Sequence, residues 1–388
     1  MTCRIALMIT ALLGGLVGAD ARADVFAGKT CEPGCNLYRA MTIFGDAMTG
    51  DTAPLSLLGG PNQSGMLDAT DLTYDAGERT LIVSDFYGQK IHIFSRDSRG
   101  DVAPLRSFSN VFLGQPRNVA VAAAQNEYIV IDANFIFAFP RGASGAATAL
   151  RMTSYDPALV QNLNGLAYRS SSDEIFVGDY YDIGGGQYAG EILIFPRTIA
   201  GAPVTTRRIA GPATQMGSWI ADIHYNPSTD ELYVLTGAND GSGSVLTFAA
   251  GANGDVAPIR RIAGAATGMV NAAGLGFDDN SNELLVASGS FNAAPPHMLG
   301  FRVLPLATSH RVATSAARTL GLTARRAGMT WSRCRCRTCS PMASNNSEIA
   351  SARCVFFCHM RACRSGKNGR RTAGCRVPSE WRCRSGTA

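Results

Sequence analysis

Val245-Leu246-Thr247-Phe248, followed by Gly254-Asp255-Val256-Ala257-Pro258-Ile259-Arg260-Arg261-Ile262-Ala263-Gly264, decides the fold because the same text recurs along the chain. It returns as Met41-Thr42-Ile43-Phe44 with Gly50-Asp51-Thr52-Ala53-Pro54, and as Ile91-His92-Ile93-Phe94 with Gly100-Asp101-Val102-Ala103-Pro104-Leu105-Arg106. A weaker copy runs Phe137-Ala138-Phe139-Pro140 with Gly145. Another reads Ile192-Leu193-Ile194-Phe195-Pro196 with Gly201-Ala202-Pro203, and a last one starts at Met298-Leu299-Gly300-Phe301. The phenylalanines at 44, 94, 139, 195, 248 and 301 are 50, 45, 56, 53 and 53 residues apart.

Between these phenylalanines lies a second repeated pair of short apolar runs. Asp71-Leu72-Thr73-Tyr74 precedes Thr80–Asp85, Asn118-Val119-Ala120-Val121 precedes Glu127–Asp132, and Gly165-Leu166-Ala167-Tyr168 precedes Glu174–Asp179. Asp222-Ile223-His224-Tyr225 and Gly274-Leu275-Gly276-Phe277 open the next two units. Each unit thus holds four β segments punctuated by Gly, Asp, Asn, Ser and Pro. Runs rich in Val, Ile and aromatic residues suit sheets covered on both faces. Four strands per repeat of about 50 residues is the blade of a propeller, whose radial repetition protects sheet edges. The expected fold is all-β: a propeller of about six four-stranded blades over residues 41–305. The text from "GLAY" and "EIFVGD" through "ILIFP" to "GDVAPIRRIAG" resembles NHL repeats, which occur in bacterial secreted six-bladed propellers.

Counting strands leaves the ring open. Residues 41–58 supply the last two strands of a blade, so two partner strands, and a fourth strand after 298–303, are expected beyond Pro305. The text there turns Arg-, Cys-, Ser- and Ala-rich and holds no Asp. Residues 306–388 read as a disordered tail or as an out-of-frame translation of a GC-rich gene. Zinc binding through Cys334, Cys336, Cys339, Cys354, Cys358 and His359 would need a spacing that matches no regular knuckle. The arginines could alternatively contact phosphates of nucleic acid or membrane. An incomplete ring would expose strand edges.

The net charge of +5 divides unevenly. Residues 307–388 carry 15 Arg and one Lys against Glu348 and Glu380, a net of +14, which leaves −9 for the rest. That division argues against nucleic-acid binding by the propeller. At the other end, Arg4, the apolar run Ile5–Val17 and Ala21-Arg22-Ala23 have the form of a cleavable signal over residues 1–23, too short for a bilayer span. No later segment could span a membrane, and the expected location is periplasmic or extracellular. In that compartment Cys31 and Cys35, flanking a Pro-Gly turn within residues 24–40, are expected to pair as a disulfide.

First strands line a propeller's channel, so Asp71, Asn118, Gly165, Asp222 and Gly274 should converge there, with Asn164 one residue earlier. Asp71, Asn118, Asn164 and Asp222 are the candidate binding residues. Two carboxylates and two amides could hold Ca²⁺, and the set looks faintly like that of metal-dependent lactonase propellers, although no Glu occupies an early position. The competing reading is that these side chains satisfy backbone groups. Asp85, Asp132 and Asp179 should accept hydrogen bonds from the turns that follow them. The repeated phenylalanines should pack between blades. His92, His224 and His297 fall in different units, no nucleophile elbow is present, and Gly184-Gly185-Gly186 should sit in a flexible rim loop. With no convergent catalytic set, the chain reads as a binding or scaffold module for a protein, peptide or glycan. The alternative is a Ca²⁺-dependent lactonase or hydrolase working at the channel.

Overall fold

The turn between the first two strands of each repeat needs a residue with positive φ, and it falls one position before the second strand. Arg79, Asn126, Asp173, Asp230 and Asn282 occupy it with φ of 54–58°. Asn and Asp tolerate this left-handed region best, which explains their recurrence there. The hairpins so formed assemble into sheets in this computed structural model, which describes residues 9–11, 24–30, 40–45, 53–60, 62–132, 134–154, 163–201, 205–279, 281–290, 294–303 and 318–320.

Five antiparallel blades, each of four strands consecutive in the repeat, form the propeller. Blade 1 comprises Ala69–Asp75, Thr80–Asp85, Lys90–Ser95 and Arg106–Ser109. Blade 2 comprises Asn118–Ala122, Glu127–Ile131, Phe135–Pro140 and Arg151–Ser154. Leu166–Arg169, Glu174–Gly184, Gln187–Pro196 and Arg207–Ile209 make blade 3. Blade 4 follows with Trp219–Asn226, Glu231–Gly237, Gly243–Ala249 and Arg260–Ala263. Blade 5 has Gly274–Asp278, Glu283–Ser290, Ala294–Arg302 and Arg318–Leu320.

Two expectations about the ends of the repeat are corrected. The expected sixth unit is the N-terminal sheet, and its two missing strands come from upstream, not from beyond Pro305. Ala40–Gly45 and Ser56–Gly59 are joined there by Asp24–Thr30 and Ile9–Ala11. The Ile9–Ala11 backbone lies beside the first strands of blades 5 and 1. Nor does blade 5 lack a fourth strand: Arg318 stands opposite Gly300. That is the register of Arg106 opposite Ile93, Arg151 opposite Ala138, Arg207 opposite Ile194 and Arg260 opposite Thr247. Cys31, Cys35 and the cysteines from Cys334 onward lie outside the described residues.

The repeated Gly-Asp-x-Ala-Pro turn fastens neighbouring sheets. It sits between the third and fourth strands of one blade and reaches back over the fourth strand of the sheet before it. Gly100 bridges Leu58 and Gly254 bridges Ile209 in parallel, while Gly145–Ala146 does the same along Phe108–Ser109. Asp101 then accepts the N–H groups of Asn62, Gln63 and Ser64 at 2.7–2.9 Å, and Asp255 accepts that of Ala213 at 2.7 Å. Space for these carboxylates requires glycine beneath them: a Cβ at Gly60 would lie 2.6 Å from Asp101, and one at Gly211 2.4 Å from Asp255.

The core fills the gaps between adjacent sheets. Phe94 packs with Met41, Ile43 and Leu58 of the N-terminal sheet. Phe139 meets Ile82 and Ile91 of blade 1, and Phe195 meets Ile129 and Ile131 of blade 2. Phe248 and Phe301 repeat the arrangement against blades 3 and 4. The interblade packing role read from the sequence is therefore borne out. Ion pairs lace the same seams: Arg197 from blade 3 reaches Glu127 of blade 2, which Arg151 also holds.

Candidate functional site

The first strands place Asp71, Asn118, Gly165, Asp222 and Gly274 at equivalent register positions, because Leu72, Val119, Leu166, Ile223 and Leu275 each face a second-strand valine. Their polar atoms form a chain of bonds from blade to blade. Asp71 Oδ2 accepts Val119 N–H at 2.9 Å, Asn118 Oδ1 accepts Gly165 N–H at 2.9 Å, and Asp222 Oδ2 accepts Leu275 N–H at 2.9 Å. Blade 3 has glycine at this position, and its neighbour Asn164 supplies the link by donating Nδ2–H to Ala221 O at 2.8 Å. Each of the four candidate side chains thus stitches one inner strand to the next, with a hydrogen bond worth about 1 kcal/mol.

Two carboxylates in one enclosed channel cannot both ionise freely. Burial raises Asp71 to about 6, against the hydrogen bonds from Val119, Leu72 and Asn118 that favour its charge. Burial and then the charge of Asp71 raise Asp222 to about 8. Both shifts favour proton retention by the pair. His224, half-buried between the rings of Tyr233 and Phe277, is lowered to about 4 by burial and is neutral. Among the described residues no group of three or more His, Cys, Asp and Glu side chains is arranged to hold a metal ion.

Asp85 and Asp132 accept the N–H groups of the turns that follow them, from Gly88 and from Asn134 and Phe135 respectively. Both also anchor the incoming connection, through Leu67 and Asp68 for Asp85 and Gly114 for Asp132.

A second feature was not legible as a site. The segment expected as a flexible rim loop is a β-ribbon with a bulge between Asp182 and Gly184: Asp179 pairs with Glu191, Tyr181 with Ala189 and Asp182 with Tyr188. Gly184, Gly185 and Gly186, all with positive φ, turn it. Alternation of Tyr180, Asp182 and Gly184 with Tyr181 and Ile183 was the available signal, hidden by the glycines. The ribbon and the Gly211–Ser218 connection enclose a cleft of about 350 Å³ lined by Tyr181, Ile183, Tyr188, Pro212, Met216 and Ser218. The Arg208 guanidinium lies 4.7 Å over the Tyr181 ring and pairs with buried Glu191. Tyr180 and Tyr188 meet edge to face at 5.0 Å. Ile183 and Tyr188 stay 57% and 40% exposed, so apolar surface is offered to solvent beside the cleft.

No family model and no curated protein matches the chain. Among solved structures, the nidogen/laminin complex aligns with a TM-score of 0.46 at 9% identity, over 76% of this chain and 89% of that chain. A 6-phosphogluconolactonase candidate from Bacteroides uniformis aligns with a TM-score of 0.44 at 12% identity, over 77% and 92%. A component of the mitotic checkpoint complex aligns with a TM-score of 0.45 at 11% identity, over 73% of each chain. Likeness at this level carries no argument about activity. No helix among the described residues is long and apolar enough to cross a membrane.

Proposed function

We propose that this chain is an exported NHL-type propeller that works as a binding module for a protein, peptide or glycan, using the face that carries the blade 3 ribbon. The observation that carries this reading is the tyrosine-lined cleft. It has the size of small-ligand sites, a mainly apolar lining and a few polar tips. Tyr188 is braced by Tyr180 on one face of the ribbon and Tyr181 by Arg208 on the other, so little ordering cost remains for a ligand. The leader-like text of residues 1–23 supports export, and its cleavage would take Ile9–Ala11 out of the N-terminal sheet.

The test uses an array of short peptides and oligosaccharides probed with the purified protein and with a variant whose residues 180–190 are replaced by a two-residue turn. Binding by the parent and at least a tenfold loss in the variant is the expected result. Equal binding by both, or none by either, overturns the reading.

A second reading, a Ca²⁺-dependent lactonase, draws on the Asp71–Asp222 pair, two buried carboxylates that repel one another where a cation could balance them. Calcium titration by calorimetry together with lactone hydrolysis by Asp222→Ala decides it. Calcium uptake and turnover that both vanish in the variant would support the enzyme, and their absence in the parent would dismiss it.

A further inference from the structure

Blade 1 breaks the repeat at one buried position. The third-strand residue opposite the second-strand valine is Phe137 in blade 2, Leu193 in blade 3, Leu246 in blade 4 and Leu299 in blade 5. In blade 1 it is His92, opposite Val83 and 2% exposed. A lone departure from a packing rule, paid for with a buried polar side chain, is where function is to be sought. Both ring nitrogens of His92 are engaged. Nε2 lies 3.2 Å from Asp85 Oδ2, and Nδ1 lies 2.8 Å from the Oγ of Ser107, the residue directly across on the fourth strand.

The proton positions follow from chemistry. Asp85 is fully buried, yet it accepts N–H groups from Leu67, Asp68 and Gly88. Burial pushes its carboxyl up, but His92 and these amides outweigh it and hold the group below the usual carboxylate range. An ionised carboxylate only accepts, so His92 carries its proton on Nε2. In the neutral imidazole Nδ1 presents its lone pair, and the Ser107 hydroxyl donates to it. A serine hydroxyl donating to an imidazole that is fixed by a buried carboxylate is the arrangement of an activated nucleophile, recognised by roles rather than by chain order. Ser107 is partly exposed, on the side of blade 1 that faces the N-terminal sheet, as do Val83 and Phe94.

We infer that Ser107, His92 and Asp85 form a nucleophilic relay that cleaves small carboxylic esters at the seam between the N-terminal sheet and blade 1. Ser107 Oγ attacks the ester carbonyl carbon while its proton passes to His92 Nδ1, and Asp85 stabilises the imidazolium. The C–O bond to the alcohol breaks, and the leaving oxygen takes the proton from Nδ1. Water then attacks the acyl-serine, giving its proton to Nδ1. The carboxylic acid leaves and the Ser107 hydroxyl is restored. The limited exposure of Ser107 restricts the acyl group to a short chain. This inference does not depend on the binding-module reading, whose cleft lies on blade 3.

The experiment is labelling with a small fluorophosphonate, read by intact mass and peptide mapping, alongside p-nitrophenyl acetate hydrolysis. Ser107→Ala removes the nucleophile. His92→Leu installs the residue that blades 3, 4 and 5 carry at the same place, and so keeps a foldable blade, checked by thermal midpoint. The expected result is one adduct per chain on Ser107, with labelling and hydrolysis reduced at least a hundredfold in both variants. No adduct on the folded parent, an adduct elsewhere, or undiminished labelling of folded His92→Leu would each overturn the inference.

Discussion

Asp71 and Asp222, from blades 1 and 4, face one channel, and the charge of the first raises the proton affinity of the second. A group whose folded pKa lies above its unfolded value contributes stability fully below the unfolded value, and this is lost as pH rises through the folded one. For Asp222 that window runs from about 4 to about 8. Asp222→Asn keeps an oxygen for the Leu275 amide but removes the titration. The thermal midpoint of the parent should fall between pH 5 and 8 more steeply than that of the variant. At pH 8 the variant should be more stable by about 1–2 kcal/mol, allowing for channel water. Parallel melting profiles would refute the coupling.

Gly211 accommodates the carboxylate of Asp255 from the next blade and has a φ of 122°. Gly211→Ala should cost about 2–3 kcal/mol through backbone strain and overlap. Combining it with Asp255→Gly, which also removes the Cβ that would lie 2.7 Å away, should relieve the overlap alone, so the double-variant cycle in urea should show a favourable coupling.

Glu127 is shared by Arg151 and Arg197 across a blade boundary. Glu127→Ala removes the carboxylate that holds Arg151 and leaves Arg197 with Asp173 alone, and loss of such a partly buried pair costs about 3 kcal/mol. Chemical denaturation should show that loss, and replacing exposed Asp97, which Arg79 meets at 3.9 Å, should change stability by less than about 0.5 kcal/mol.

The fourth strand of blade 5 yields a separate expectation. A chain ending after Val303 leaves Met298–Gly300 as a bare edge and should aggregate, whereas one ending after Gly328 keeps Arg318–Leu320 and should stay dispersed. Size-exclusion chromatography of the two distinguishes them.

Much of this architecture was readable because the interval between phenylalanines and the four-segment unit are local properties of the text. The convergence of Asp71, Asn118, Asn164 and Asp222 followed from repeat register alone. Their bonding did not, since each partner amide lies nearly a whole repeat away. The first two strands of the N-terminal sheet escaped notice because Asp24–Thr30 and Ile9–Ala11 copy no part of the repeat and are defined by what they pair with. Arg318 was overlooked because one arginine in an arginine-rich stretch carries no pattern. The His92–Ser107 contact was equally hidden: two residues fifteen apart meet only when the register between third and fourth strands is known.

The Gly-Asp-x-Ala-Pro clasp has a direction. Asp101 secures the sheet that precedes it and Asp255 secures the end of blade 3, so each fastening is written downstream of what it closes. During synthesis, a sheet that has already left the ribosome waits, its last strand unlatched, until about forty more residues have emerged. Assembly is thereby polarised from the amino end, and a pause in translation within one repeat holds open the seam made by the repeat before.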